Sequence, residues 1–283
     1  MLNLENVRKT YPGFAMDVTL RVLPGRITGL IGANGAGKTT CFKAVLGLIK
    51  PDSGKITIGG TDAQLLTEAD RTKIGAVLAE SGFSGYLTVG DTVPILRALY
   101  PQFDEQKFRG QLAASGLELK KKIKDLSTGM RAKLKILIAL SYSAKLLILD
   151  EPTAGLDVIA RDEILQLLRQ FIEEDESRSI FISSHISSDL EMLCDDFYMI
   201  EKGQILLHEE TDRLQSTYGI LKVSGEAMQT LDKRYLRKVL REPYGWRCLT
   251  DERQFYLENY PQLVLERSGI DELLLLYIRG EAL

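Results

Sequence analysis

The sequence lacks any long run of apolar residues. Its apolar stretches, such as residues 146–149 and 273–278, have the size of core elements, whereas a helix that spans a bilayer needs about 20 such residues. It also begins without a basic segment followed by an apolar one, so no signal peptide is expected. A role at a membrane would therefore require a partner that supplies the span.

Cysteine is scarce, and neither sign of charge is in large excess. The 283 residues include three cysteines, Cys41, Cys194 and Cys248, which lie far apart and have no spacing typical of metal ligands. Their odd number argues against a disulfide framework, so a reducing cytosol fits best. Because the net charge is only −3, a general electrostatic attraction to nucleic acid is not expected.

What the sequence does contain is a glycine-rich phosphate-binding pattern. Residues 32–39 match G-x-x-x-x-G-K-[ST], between a short apolar run and a stretch with helical spacing. A strand, such a loop and a helix together predict a nest of backbone N–H groups that suits phosphate oxygens. Lys38 is predicted to reach the β- and γ-phosphates, and the Thr39 hydroxyl to bind Mg²⁺. The predicted nucleotide-binding residues of this loop are Gly32, Asn34, Gly35, Gly37, Lys38, Thr39 and Thr40.

Two carboxylates follow a predicted buried strand. Residues 146–149 are apolar and precede Asp150 and Glu151, which is typical of a parallel strand that ends at the ligand-binding edge of a sheet. Asp150 is predicted to hold Mg²⁺ directly or through water. Glu151 is predicted to orient and deprotonate the water that attacks the γ-phosphate. His185 follows the next predicted core strand, and this position favours contact with the γ-phosphate. His208 is assigned no role.

Two further residues are candidates for nucleotide contacts. Ser127 is a natural N-cap for a helix over 128–142, and its hydroxyl and the unpaired N–H groups of the first turn suit an anion. Tyr11 lies in a predicted turn upstream of the glycine-rich loop, where an exposed ring can stack on a nucleotide base. From spacing alone, an ordinary surface or core tyrosine explains Tyr11 equally well.

The remaining sequence predicts the surroundings of this centre. Strands at 2–7 and 14–22, joined by a turn at 8–13, suggest an antiparallel sheet ahead of the nucleotide core. A mostly helical block is inserted into that core, and it includes a helix over 88–100 that Thr88 or Asp91 would cap.

Beyond residue 219 the pattern changes to that of a small α+β unit. Its predicted elements are a basic helix at 228–240, short strands at 246–249 and 254–257, and a helix at 270–279. The basic face is interpreted as a solvated surface, with binding to acidic lipid headgroups as the alternative.

Taken in order, these motifs resemble those of the ATP-binding subunit of an ABC transporter. The resemblance covers residues 1–218 and implies an α/β fold. That fold is a P-loop NTPase core of ABC type, with an N-terminal antiparallel β subdomain and a helical subdomain at about 80–142. Residues 219–283 are then a small α+β C-terminal accessory domain. The matching motifs are Walker A at 32–40, the signature at 126–130, Walker B at 146–151, the D-loop at 154–157 and the switch histidine His185.

The resemblance also implies roles for individual residues. Tyr11 stands where the family has its adenine-stacking aromatic residue, and Asp157 belongs to the D-loop that lies near the nucleotide. Ser127 and Gly129 stand where the family contacts the γ-phosphate through a hydroxyl and the backbone. The residues implied to be catalytic are Lys38, Glu151 and His185.

Two departures from the family pattern are visible. Thr128 and Met130 replace the usual glycine and glutamine of the signature, and the Q-loop glutamine is missing. Glu80 occupies the Q-loop region and is the predicted substitute ligand for Mg²⁺ or a water. Such substitutions are similar to those of ABC-2-type exporters, a group that includes exporters of antimicrobial peptides, lantibiotics and peptide toxins.

The function implied by the resemblance is ATP hydrolysis that powers a separate transmembrane permease at the cytoplasmic face of the membrane. The implied cofactors are ATP and Mg²⁺, and nucleic acid is not an expected partner. Two ATP-binding domains, from a homodimer or a paired chain, would meet head to tail. Each ATP would lie between the P-loop of one domain and residues 127–129 of the other.

Two alternatives to a transporter subunit are weaker. A soluble ABC ATPase that acts on ribosomes or DNA is disfavoured, because the chain has one core and no sustained heptads. A binding module without turnover is disfavoured by the intact set of Lys38, Asp150, Glu151 and His185.

Overall fold

The main sheet combines an antiparallel part and a parallel part. In the computed structural model, which describes residues 1–79 and 82–282, its strands are β1 (Leu2–Tyr11), β2 (Phe14–Val22), β3 (Ile27–Ile31), β4 (Ser53–Ile58), β5 (Thr61–Asp62), β6 (Ile74–Val77), β7 (Leu146–Asp150), β8 (Ser179–Ser184), β9 (Asp196–Glu201) and β10 (Gln204–Glu210). Their order is β5-β4-β1-β2-β10-β9-β3-β8-β7-β6. Strands β9, β3, β8, β7 and β6 are parallel neighbours, whereas β5, β4, β1 and β2 pair antiparallel.

Helices cover this sheet, and every residue of β3, β7 and β8 is buried, as in a parallel strand with both faces covered. The helices are α1 (Lys38–Val45), α2 (Glu68–Arg71), α3 (Thr92–Leu99), α4 (Glu105–Ala114), α5 (Thr128–Leu140), α6 (Val158–Glu173), α7 (Ser187–Leu193) and α8 (Thr211–Thr217), with 3-10 turns at Ala63–Leu65 and Ile123–Asp125. Helices α3, α4 and α5 share a separate apolar cluster that includes Val93, Phe108 and Leu134.

The predicted bounds of the first strand and of the turn after it differ slightly from those in the structure. Strand β1 continues to Tyr11, so the turn predicted at 8–13 is confined to Pro12 and Gly13. A bulge between Leu4 and Val7 breaks the alternation of buried and exposed residues, which made the strand seem shorter than it is.

One of the two residues predicted to cap α3 lies at its N-cap position. The helix begins at Thr92 after the N-cap Asp91, but the Asp91 carboxylate accepts hydrogen bonds from the N–H and the hydroxyl of Thr88, both at 2.7 Å, and makes no hydrogen bond to the helix. The two residues that compete for the capping role therefore bond to each other.

A second, four-stranded sheet lies at the C-terminal end of the described chain. Its order is β12-β13-β11-β14, and all neighbouring pairs are antiparallel. The elements of this region are β11 (Gly219–Val223), α9 (Ala227–Thr230), β12 (Leu236–Glu242), β13 (Gly245–Thr250), α10 (Arg253–Asn259), β14 (Val264–Arg267) and α11 (Ile270–Arg279). An α+β arrangement is present as expected, while its treatment as a separate domain after residue 218 stays a prediction.

Two secondary-structure predictions for this region were wrong. The stretch 228–240 is not one basic helix, because β12 occupies its second half. A bulge between Leu236 and Lys238 places Leu236 and Val239 on the buried side three residues apart, which imitates helical spacing. The stretch 254–257 is helical and lies in α10, where Tyr256 is buried, although its aromatic composition favours a strand.

Two of the basic residues on the predicted basic face form ion pairs with carboxylates. Arg234 forms an ion pair with Asp232 at 2.7 Å, and Arg237 forms one with the buried Asp251 at 2.5 Å. This pairing favours the interpretation of a solvated surface over that of a free basic face. No helix in the residues that the structure describes is long and apolar enough to cross a bilayer.

We expect the three cysteines to be unreactive in the native protein. Cys41, Cys194 and Cys248 are all buried, and burial raises the pKa of Cys41 to about 12, with a further contribution from Asp150. Burial likewise raises the pKa of Cys248 to about 12. At pH 8 a thiol with that pKa is ionised in roughly one molecule in ten thousand. Titration with Ellman's reagent should detect none of the three before denaturation and all three in guanidinium chloride; rapid labelling of the native chain would contradict this.

Candidate functional site

The predicted site residues come together because three parallel strands end at the same edge of the sheet. The glycine-rich loop follows β3, Asp150 is the last residue of β7, and His185 follows β8 directly. Strand β8 lies between β3 and β7, so these ends are neighbours. This is the edge at which open α/β sheets bind their ligands.

The glycines of the loop meet steric requirements that other residues would not. Gly35 and Gly37 have positive φ angles of 83° and 115°, and Gly37 precedes the first residue of α1. A Cβ atom on Gly32 would lie 2.2 Å from the Ile200 carbonyl oxygen. The loop can therefore curl tightly and still pack against β9.

Lys38 is buried within the loop and reaches across it. Its Nζ donates a hydrogen bond to the Gly32 carbonyl oxygen at 2.7 Å and lies 3.4 Å from Glu151 Oε1. The ammonium group thus lies between the glycine-rich loop and the end of β7, where it can contact anionic oxygens from either side.

Asp150 is nearly inaccessible, and both of its oxygens have a partner. The Thr39 hydroxyl donates to Oδ2 and the Ser183 hydroxyl donates to Oδ1, each at 2.7 Å. Ser183 Oγ also accepts a hydrogen bond from the Glu151 N–H at 3.1 Å. One serine of β8 therefore fixes both carboxylate residues of β7.

We expect Ser183→Ala to destabilise the fold. The change leaves Oδ1 of a buried carboxylate without its hydroxyl donor, and such a loss costs about 1–3 kcal/mol. Urea unfolding followed by circular dichroism measures the free energy of unfolding, with Ser188→Ala on exposed α7 surface as the matched control. Equal midpoints for the two variants would show that Ser183 does not hold Asp150.

Glu151 and His185 are directly hydrogen-bonded. His185 Nδ1 lies 2.5 Å from Glu151 Oε2, and the His185 backbone N–H donates to the same oxygen at 3.0 Å. Glu151 has a φ of 52°, a left-handed conformation that costs a residue with a side chain about 1–3 kcal/mol. This strained conformation occurs in the turn after β7, which places the Glu151 carboxylate beside His185.

A cavity of about 590 Å³ lies over the glycine-rich loop. Its volume is in the range of small-molecule sites. Lys38 is the one Lys or Arg among its described lining residues, so it is the principal fixed cation there. The lining residues are Phe14, Ala33, Asn34, Gly35, Gly37, Lys38, Thr39, Thr40, Ala79, Glu151, Ala154 and His185.

Tyr11 does not line this cavity in the described chain. It pairs with Phe14 across the hairpin of β1 and β2, the residue is 40% exposed, and Lys9 Nζ lies 5.7 Å from the centroid of its ring. Phe14 is the aromatic residue that borders the cavity. The stacking role of Tyr11 stays a prediction.

The other predicted contacts also lie outside this cavity. Ser127 caps α5 by accepting from the Met130 N–H at 3.2 Å, and Asp157 caps α6 by accepting from the Ala160 N–H at 2.9 Å. Gly129 lies against Ala160, where a Cβ atom would approach its methyl group to 2.9 Å. Glu80 lies outside the described residues.

Sequence reasoning missed two residues of the site. Ser183 was interpreted only as the end of a strand, although its place two residues before His185 and beside β7 is the signal that marks it. Phe14 was assigned only to β2, and its position opposite Tyr11 in the hairpin would have identified it as a second aromatic candidate.

Known proteins are similar to this chain over most of its length. The lantibiotic transport ATP-binding protein SrtF of Streptococcus pyogenes is 35% identical over 216 residues, which cover 75% of this chain and 92% of SrtF. The chain belongs to the ABC transporter family of ATP-binding proteins. The sequence model of the family described as "ABC transporter" matches residues 15–154. The chain is therefore an ABC ATPase that binds ATP, and the cavity over its P-loop is the candidate ATP site.

Two further comparisons extend this result. The bacitracin transport ATP-binding protein BcrA of Bacillus licheniformis is 37% identical over 200 residues, which cover 70% of this chain and 65% of BcrA. Among solved structures, the ATP-binding cassette MJ0796, a dimer in a post-hydrolysis state bound to ADP and Pi, matches with a TM-score of 0.66 at 24% identity. That match covers 75% of this chain and 99% of the cassette and supports the predicted ABC-type α/β fold.

Proposed function

We propose that this ABC ATPase powers the export of a peptide or antibiotic-like cargo through a separate transmembrane permease. The observation that carries the ATPase mechanism is the contact of Glu151 with His185 beside Lys38. The names of the relatives SrtF and BcrA support the cargo class, since these proteins serve lantibiotic and bacitracin transport. The chain would then lie at the cytoplasmic face of the membrane, held there by the permease.

The described residues fit the binding of Mg-ATP. Lys38 and the N–H groups of the loop would hold the phosphates, while Asn34 and Thr40 line the same cavity. Thr39 and the buried Asp150 offer a hydroxyl and a carboxylate 2.7 Å apart, the hard oxygen ligands that Mg²⁺ prefers. When bound, Mg²⁺ would neutralise charge on the phosphate oxygens. Tyr11, beside Phe14, would stack on the adenine.

In the hydrolytic step, Glu151 is the group that accepts a proton. As a water oxygen bonds to the γ-phosphorus and the bond to the ADP oxygen breaks, the Glu151 carboxylate takes the proton of that water. Nδ1 of His185 is hydrogen-bonded to Glu151, so Nε2 is the ring nitrogen that is available to a γ-phosphate oxygen. Lys38 would offset the charge that develops on the leaving ADP oxygen.

A second copy or a related chain would complete the site. Ser127 and Gly129 do not line the P-loop cavity of their own chain, which supports a contact with ATP across an interface. The D-loop residue Asp157 is followed by Val158 and Ile159, whose side chains are 76% and 75% exposed, and burial of this apolar pair would favour association. The MJ0796 cassette, which shares this fold, is itself dimeric in its solved structure.

Co-purification tests this proposal. Tagged Glu151→Gln protein is expressed in its native cells, membranes are solubilised in mild detergent, and bound proteins are identified with and without Mg-ATP. A polytopic membrane protein in stoichiometric amount is the expected result. Ribosomes or DNA-repair proteins in a purely soluble fraction would overturn the transporter assignment in favour of a soluble ABC ATPase.

A further inference from the structure

Helix α7 connects the candidate ATP site to the C-terminal helix α11. Its first residue, Ser187, comes two positions after His185. On the side of the site, the fully buried Asp189 accepts a hydrogen bond from the Thr153 hydroxyl at 2.7 Å and forms an ion pair with Arg161 at 3.0 Å. Because Thr153 follows Glu151 by two residues, α7 is bonded to both segments that carry the Glu151–His185 contact.

The opposite side of α7 is held by the start of α11. The Ser187 hydroxyl donates to the Asp271 carboxylate, and Glu191 Oε1 accepts from the Ile270 N–H at 2.5 Å. Apolar packing continues this contact, since Ile270, Leu273 and Leu276 of α11 belong to the same buried cluster as Leu190 and Leu193 of α7.

We infer that Ser187, Glu191 and Asp271 are positioning residues for ATP hydrolysis. They do not touch the P-loop cavity, and they act by holding α7 so that His185 meets Glu151. A helix of only seven residues has few backbone hydrogen bonds of its own, so its position depends on the groups that contact it. The C-terminal region thereby affects the rate of ATP hydrolysis and not the affinity for ATP. This inference rests on the proposed roles of Glu151 and His185.

The test separates kcat from KM. Asp271→Ala and Ser187→Ala should each lower kcat for ATP about tenfold, since misplacement of a reacting group by 1 Å can cost as much as a hundredfold. KM should stay within about twofold, because Lys38 and the P-loop are untouched. Asp271→Asn should restore kcat to within about twofold of the parent, since its amide oxygen still accepts from Ser187. The double variant should be no slower than either single variant.

The controls separate this inference from folding effects and from the proposed function. Glu226→Ala, which removes an exposed carboxylate at the start of α9, should leave kcat and the melting temperature unchanged. Asp271 is exposed, so its truncation removes no buried carboxylate, and circular dichroism establishes that the variants are folded. Unchanged kcat in Asp271→Ala and Ser187→Ala, or no rescue by Asn, would overturn the inference. If Glu151→Gln hydrolyses ATP at the parent rate, the proposed role of Glu151 as the base fails instead.

Discussion

Glu151→Gln is expected to lower steady-state ATP hydrolysis at least a hundredfold while ATP binding is retained. A positioned general base contributes about 10²–10⁴ to a rate, and an amide cannot take the proton of the attacking water. The amide oxygen can still accept the hydrogen bond from the His185 N–H, so the turn after β7 keeps its geometry. The variant therefore separates the chemical step from binding.

Two measurements decide this prediction. Phosphate release gives the hydrolysis rate, and a fluorescent ATP analogue gives the affinity in the presence of Mg²⁺. The matched control is Glu176→Gln, which makes the same chemical change at an exposed position between α6 and β8. That control should hydrolyse ATP at the parent rate. Substantial turnover by Glu151→Gln would show that another group takes the proton.

The placement of the residues at the candidate ATP site was predictable from sequence because it depends on local order. The spacing of Gly32, Gly37 and Lys38 implies the loop, and an apolar run that ends in Asp150 implies a buried parallel strand. Neighbouring parallel strands end at one edge, so the residues that follow them meet. The contact between Glu151 and His185 follows from this topology, although its distance of 2.5 Å does not.

The contacts that fix these residues were not predictable, since they join elements far apart in the chain. Ser183 bonds Asp150 across 33 positions, and Ser187 bonds Asp271 across 84 positions. From sequence alone, each serine could equally have been a solvent-exposed residue at the end of a strand or the start of a helix. Pairing of this kind depends on the tertiary arrangement, which propensity and periodicity do not encode.

The C-terminal region was misread for a related reason. Local spacing predicts a helix through Leu236 and Val239, whereas pairing with β13 and a bulge gives a strand with the same spacing of buried residues. The stretch around Tyr256 has the opposite problem, because its composition favours a strand while burial of the ring stabilises α10. In both places tertiary packing outweighs the local signal.

Lys38→Ala is expected to lower the affinity for ATP about tenfold to a hundredfold. A charge-assisted hydrogen bond contributes about 1.5–3 kcal/mol, and each 1.4 kcal/mol is a factor of ten in affinity. Lys38 is the one Lys or Arg among the described residues that line the P-loop cavity, so no neighbouring cation there can replace it. Its loss also leaves the carboxylate of Glu151, 3.4 Å from Nζ, without that counter-charge.

The kinetic signature of Lys38→Ala should be opposite to that of Glu151→Gln. Titration with the fluorescent analogue should give weaker binding for Lys38→Ala, whereas Glu151→Gln binds like the parent and fails in turnover. Lys120→Ala removes an exposed cation outside the cavity and serves as the matched control for net charge. Parent-like affinity in Lys38→Ala would mean that the loop N–H groups alone hold the phosphates. In that case the contact of Nζ with Glu151 would be structural, because its removal would leave ATP binding unchanged.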